Sequence, residues 1–342
     1  MNSANRSFFA LVAAALMPYV LLGVFGCGVL SLAAYRVTAH GLSGLDRNGQ
    51  DLRPAVLFFT VVTTGTTVAA LSVCRQLRAT RALAAALRPL TSEMTAELAT
   101  AAERNGLAGR IDLVDDPEPF SFTFGVFAPR VVVSRGLLAA LEPEALDAVL
   151  QHECYHVRNR DTVKMIVARA MPRAFFFLPA LGHLRGRYVA GRELAADRRA
   201  VRRVGRRPLV SALYQVLDEP AVSTFGAAAA LGGSEFLELR IQQLETGREP
   251  AMARVPRWAW MVTVAALAGM SAAFLATVAA TRTSMTMMSD AGSQSPGAAA
   301  LGVIGGVMCS AGWAWVSWVV WRRVVGHDRL TLQPHSSTSL TS

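Results

Sequence analysis

The sequence predicts a mainly α-helical membrane protein: four transmembrane helices with a cytoplasmic α+β domain, carrying a small β-sheet, between the second and the third. Three observations predict it. Of the 342 residues 52% are hydrophobic and only 17% charged, with a mean hydropathy of +0.34, outside the usual soluble range. Four apolar runs each reach the roughly 20 residues that a bilayer core requires. Between the second and third runs the apolar period changes from helical to strand-like and back.

The runs cover 8–35, 55–74, 258–280 and 298–321. Backbone groups in lipid must pair within their own segment, so each run is expected to be a helix. Trp258, Trp260, Trp318 and Trp321 stand near run ends, where aromatic belts form. Residues 1–80 and 251–330 are then two transmembrane hairpins, 81–250 the domain between them, and 331–342, rich in Ser and Thr, a disordered tail. Ser31-Leu32-Ala33 resembles a signal cleavage site, but its apolar run is too long for a typical signal peptide.

Orientation follows from the arginines. The net charge is +10 and Lys164 is the sole lysine. Arg6, the group Arg75, Arg78, Arg81 and Arg88, the group Arg248, Arg254 and Arg257, and the group Arg322, Arg323 and Arg329 fall on one side of the runs. Arg36, Arg47, Arg53 and Arg282 fall on the other. The positive-inside rule therefore places both termini and the central domain in the cytoplasm. Arginines that flank apolar runs point to the lipid bilayer as a partner, and no nucleic-acid-binding motif accompanies them. Cys27, Cys74, Cys154 and Cys309 fit small buried hydrophobes better than a disulfide framework.

Within the central domain, apolar positions from Leu83 to Leu98 have helical spacing, predicting a helix over 81–105. Segments 110–114, 121–124 and 130–133 are short, rich in aromatic and β-branched residues and separated by Pro and Gly, predicting a small sheet. Helical spacing resumes at Leu137. The apolar stretch 165–181 contains Arg169, Pro172 and Arg173; it is expected to be a bent helix at the membrane interface or inside the domain, or a re-entrant gate.

The chemistry concentrates on residues 142–160. Pro143 suits a first helical turn, Glu144 and Asp147 its positive end, and Leu146, Val149 and Leu150 an apolar face. This helix carries His152-Glu153-Cys154-Tyr155-His156. Residues four apart share a helical face, so His152 and His156 can bind one Zn²⁺ per chain, while Glu153 projects beside it as general base. A hydrolytic zinc needs a third protein ligand and an open position. Glu193, on a second predicted helix over 188–204, supplies that ligand, and Asp197, one turn further on, can hold the other nitrogen of a ligand histidine. Alone, Glu193 and Asp197 among Arg192, Arg198 and Arg199 would read as a solvated acidic pair; downstream of HExxH they read as site residues. Cys154 points in another direction and is assigned to packing. Met285, Met287 and Met288 fit an apolar cluster beside a run better than a soft-metal site, and His40, His183, His327 and His335 have no ligand-like neighbours.

Phe122-Thr123-Phe124-Gly125, Pro129 to Ser134, Gly136-Leu137-Leu138, the HECYH motif, Arg160-Asp161 and Arg192 to Asp197 occur in an order that resembles the M56 metallopeptidases. These are the membrane proteases of BlaR1/MecR1-type antibiotic sensors, related to the M48 group that includes HtpX and the CAAX prenyl proteases. The resemblance implies a zincin-like domain of gluzincin type, with His152, His156 and Glu193 as ligands and Glu153 as base. It also implies that Arg130, Val131, Val132 and Val133 form the edge strand on which a substrate segment is laid. BlaR1-type sensors continue into an extracellular penicillin-binding domain, whereas this sequence ends soon after Trp321, so the resemblance implies the protease part alone, with any sensor a separate protein. The expected function is zinc-dependent endopeptidase action on cytoplasmic or membrane-proximal proteins, a transcriptional repressor among them. The alternatives are an HtpX-like quality-control protease and a non-proteolytic signalling or scaffold protein with structural zinc. Glu153 discriminates, because a structural site has no use for a base between its ligands.

Overall fold

The computed structural model describes residues 4–18, 52–218 and 236–272. The chain divides into two compact units, Met1–Ala14 with Thr64–Thr263, and Ala15–Thr63 with Val264–Ser342. The described residues of the second unit are helical. The elements in order are α1 (4–18), α2 (Leu52–Leu87), β1 (Thr91–Ser92), α3 (Ala96–Arg104), β2 (Ile111–Val114), β3 (Ser121–Phe124), β4 (Arg130–Ser134), α4 (Arg135–Ala140), α5 (Pro143–Asn159), α6 (Asp161–Ala174), α7 (Pro179–Val204), α8 (Arg206–Asp218) and α9 (Leu237–Thr246), then a helical stretch over 257–272.

The expected four-span architecture is not supported: among the described residues no helix is long and apolar enough to cross a membrane. Hydropathy does not distinguish a run that faces lipid from one that packs on protein, and the described parts of these runs make local packing contacts although Leu71, Trp258, Met261 and Val264 stay exposed. Ala4, Phe8 and Leu11 bury one face of α1, with the Phe8 ring 5.1 Å from that of Tyr188 on α7. Thr63, Thr64, Thr66, Thr67 and Ser72 interrupt the 55–74 run. Gly65 lets α2 lie close to α6, since a Cβ there would come 2.5 Å from the Ala174 carbonyl oxygen. In the third run the Thr263 hydroxyl accepts from the Ala180 amide at 3.2 Å. Residues 19–35, 273–280 and 298–321 of the runs, and the tail 331–342, lie outside the described residues. The orientation drawn from the arginines has no span among the described residues to act on.

The predicted helix over 81–105 is two helices. α2 ends at Leu87, a 3₁₀ turn over Arg88–Leu90 and β1 follow, and α3 starts afresh with the Thr95 hydroxyl accepting from the Leu98 amide at 3.3 Å. Pro89, with no N–H and a fixed φ, explains the break. The stretch 165–181 is likewise not one bent helix: α6 ends at Ala174, residues 175–178 turn, and α7 begins at Pro179. Phe175, Leu178, Ala180 and Leu181 are buried.

The sheet order is β1-β2-β4-β3, with β2 and β4 parallel and both outer pairs antiparallel. This corrects the assignment of Arg130–Val133 as an edge. β4 is an interior strand, and its Val131, Val132 and Val133 are fully buried because both faces are covered. Val131 and Val133 pack with Leu98, Leu137 and Leu150 on one face, while Val132 packs with Leu87, Val114 and Phe120 on the other. An unbroken valine run is the signature of that placement, since successive side chains point to opposite faces and neither face is wet. Arg130 donates to the Asp112 carboxylate on β2, at 2.7 Å from Nε. The outer strand beside β4 is β3, whose four residues are half-buried.

Candidate metal centre

α5 is the central helix of the first unit. Pro143 at its first turn needs no amide partner, Glu144 meets the positive end of the dipole, and residues from Ala145 to Val157 are buried around most of its circumference. Against it lies α7, whose buried Ala200 packs with Ala148 of α5, while Gly191 on α7 faces α1, where a Cβ would come 3.1 Å from Ala4 Cα.

At this seam the structure brings together His152, His156 and Glu193, one ligand atom from each lying within 4.8 Å of the others. The two Nε2 atoms are 3.2 Å apart, and Glu193 Oε2 is 3.4 Å from that of His152 and 3.7 Å from that of His156. All three residues are buried. The opposite ring nitrogens are taken. His152 Nδ1 faces Asp197 Oδ1 at 2.8 Å, and His156 Nδ1 faces Asp161 Oδ2 at 2.7 Å. A carboxylate on Nδ1 holds the proton there and leaves the Nε2 lone pair directed into the shared space.

Each carboxylate is itself held. Arg240 on α9 makes a two-pronged contact with Asp197, Nε to Oδ2 at 2.7 Å and Nη2 to Oδ1 at 2.8 Å. Asp161 Oδ1 accepts from Asn159 Nδ2 at 2.6 Å and from the Tyr188 hydroxyl at 3.2 Å. Glu153 Oε2 accepts from the Thr123 hydroxyl of β3 at 2.6 Å. Cys154 lies in the hydrophobic core, 3.6 Å from Arg199 Nη2, and takes no part in the cluster.

The electrostatics favour a divalent cation. The carboxyls of Glu153, Asp161, Glu193 and Asp197 stand against the guanidiniums of Arg192 and Arg240, leaving two negative charges in excess when the imidazoles are neutral, as they are when they bind a metal. Burial opposes ionisation of every group here, yet Arg192 and the imidazoles hold Glu193 well below the carboxylate range. Burial also opposes the charge on Asp197, and Arg240 and His152 bring it down to about 2. His156, disfavoured as a cation by burial, is raised to about 10 by Glu193 and Asp161, and His152 is raised by Asp197 and Glu193. A site that pulls protons onto its imidazoles so strongly attracts positive charge at that point. Two converging imidazole nitrogens and one carboxylate, with second nitrogens pinned, fit a transition metal of zinc type.

The sequence had not marked the roles of Asp161, Arg240, Thr123 and Tyr188. Asp161 and Thr123 lie within segments already singled out, but nothing in their spacing links them to His156 and Glu153. Asp161 reaches His156 because Arg160 adopts φ 52°, ψ 42°, the one positive φ of a non-glycine residue among the described residues, and folds α6 back on the end of α5.

A helix-borne histidine pair and a distant glutamate, brought together beside a mixed sheet, define a class of protein with a buried candidate metal centre of two imidazoles and one carboxylate. More narrowly, the chain belongs to the family described as BlaR1 peptidase M56, whose sequence model matches residues 50–244, more than half of the chain. It is similar to Protease HtpX homologs: 36% identical over 64 residues to that of Thermoplasma acidophilum, covering 19% of this chain and 20% of the relative. It is 36% identical over 95 residues, 27% and 32% of the two chains, to that of Herminiimonas arsenicoxydans. With that of Limosilactobacillus fermentum it shares 37% over 71 residues, 20% and 24% of the two. These matches span at most about a third of the relatives' own length.

Proposed function

We propose that the chain is a zinc-dependent endopeptidase in which His152, His156 and Glu193 hold the metal and Glu153 is the general base. The observation that carries this reading is the convergence of three ligand atoms within 4.8 Å beside a buried glutamate that is not among them. A zinc ion held there would make a neighbouring water acidic enough to ionise near neutral pH and would polarise a peptide carbonyl. Glu153 takes the proton of the attacking water and delivers it to the leaving amine. The Thr123 hydroxyl occupies Glu153 Oε2, which leaves Oε1 for that transfer and fixes the carboxylate plane. Asp197 and Asp161 keep the two imidazoles from rotating out of register.

The edge that receives the substrate is β3 rather than β4. Its inner side pairs with β4, no strand among the described residues pairs with its outer side, and an extended peptide can add there as a further strand. Alternation along β3 puts Thr123 on the α5 face and Phe122 and Phe124 on the other, packed toward Phe120, so a peptide laid on this edge passes Glu153.

The test is Glu153→Gln. Cleavage of a protein substrate is expected to fall roughly 100- to 10,000-fold, the range of general acid–base catalysis, while zinc content by elemental analysis stays at one ion per chain. Full activity in that variant overturns the assignment of the base, and a wild-type protein that retains no divalent metal overturns the centre.

A further inference from the structure

Arg169 and Arg173 are one turn apart on α6, and Arg185 and Arg192 two turns apart on α7, so each pair shares a helical face, and the two helices pack against each other. Partial burial, followed by the charges of Arg185, Arg192 and Arg173, depresses the Arg169 guanidinium, so the other three cations stand within electrostatic reach of it. Arg192 closes the group at the metal centre: its Nε lies 3.0 Å from Glu193 Oε1, and its charge also acts on Glu153. At the other end Arg173 donates to the Ser72 hydroxyl at 2.8 Å and to the Arg169 carbonyl at 3.3 Å.

Among the described residues only Arg192 of the four has a carboxylate beside it, Glu193 of the metal centre. Among the described residues Arg169, Arg173 and Arg185 form no ion pair. The Nε atoms of Arg185 and Arg192 are buried with no hydrogen-bond partner, the Arg192–Glu193 approach being too poorly aligned to count as one. A buried donor without an acceptor is costly, and like charges repel in a poorly solvated seam unless an anion joins them. Arg169 and Arg173 are exposed, so an anion can enter from solvent, and guanidinium forks suit carboxylates.

We propose that Arg169, Arg173, Arg185 and Arg192 form a substrate subsite for a carboxylate, placing an acidic side chain or a C-terminus of the peptide beside the metal centre. The assignment to substrate rests on the peptidase reading above and on Arg192 bordering Glu193 and Glu153, where only a group on the reacting chain or its immediate extension would lie.

The test uses the full-length zinc-loaded protein and quenched fluorescent peptides that differ only in Glu or Gln at one position on either side of the cleaved bond, each with a free or amidated C-terminus. A matching anisotropy assay measures binding of the same peptides to the Glu153→Gln protein. The wild type is expected to show a KM about tenfold lower for the carboxylate-bearing peptide, the worth of one charge-assisted contact. Arg185→Gln and Arg169→Gln remove that preference without changing kcat for the neutral peptide, and Arg185→Lys keeps part of it. The Glu/Gln and free/amidated pairs separate a side-chain carboxylate from a terminal one. Equal KM across the set, or a preference that survives both glutamine variants, overturns the subsite while leaving the peptidase reading intact. Arginine-dependent anisotropy without cleavage of any peptide supports the subsite and overturns the peptidase reading. Arginine-dependent binding to phosphatidylglycerol vesicles with no discrimination among peptides also overturns the subsite, assigning the cluster to lipid.

Discussion

His152 and His156 sit one turn apart on α5, yet the carboxylates that anchor them come from different distances along the chain. Asp161 is 5 residues from His156 and reaches it through one left-handed residue; its own supports are an asparagine two residues away and Tyr188. Asp197 is 45 residues from His152, and Arg240, which holds it, is a further 43. The His156 arm is thus built almost within one helix-turn-helix, while the His152 arm exists only when α5, α7 and α9 have docked. A local arm costs little ordering entropy to assemble, whereas a long-range arm ties the metal site to the integrity of the whole unit.

The largest effect that would test this contrast is at Arg240. Arg240→Ala leaves Asp197 buried without its cation, and loss of one partner of a buried pair costs about 3–5 kcal/mol; urea unfolding of the metal-free protein is the measurement. A variant as stable as wild type would show that α9 is not part of the site's support. Next come the carboxylates. Asp197→Asn and Asp161→Asn are each expected to weaken zinc binding roughly 10- to 100-fold, read by competition with a chelator. If the arms are independent, the double variant multiplies the two losses; a double variant no worse than either single one would mean the two arms act as one network.

A pH experiment sharpens the difference further. The folded pKa of Asp197, about 2, lies below its ordinary 3.8, so the unfolded chain takes up the proton first. Its contribution, of the order of 2 kcal/mol, is present above pH 3.8 and disappears as pH falls through 2. Acid unfolding of the metal-free protein should therefore show a component in this window that Arg240→Ala diminishes. The smallest effect is at Tyr188→Phe, which removes one neutral-to-charged hydrogen bond to Asp161 and should cost about 1–2 kcal/mol, with zinc affinity changed less than by Asp161→Asn.

The same contrast accounts for what could be read in advance. The helix of His152 and His156 was legible because its ligand spacing, its proline start and its apolar face all lie in one 17-residue segment. The strands over 111–114, 121–124 and 130–134 showed themselves by composition, but their order did not. Val131 to Val133 looked like an edge by resemblance and proved interior, a consequence of the parallel pairing with β2 that no local pattern encodes. The hydropathy that suggested four spans could not tell lipid from protein as the apolar neighbour, and Gly65 against Ala174 shows where protein supplies it.

By itself, then, the sequence determined what depends on near neighbours: helical faces, strand composition, the proline start of α5 and the imidazole pair. Tertiary structure alone decided the strand order, the choice of β3 as the open edge, the arginine behind Asp197 and the gathering of four guanidiniums between α6 and α7. Those features join residues tens of positions apart, and only packing brings such residues within hydrogen-bond range.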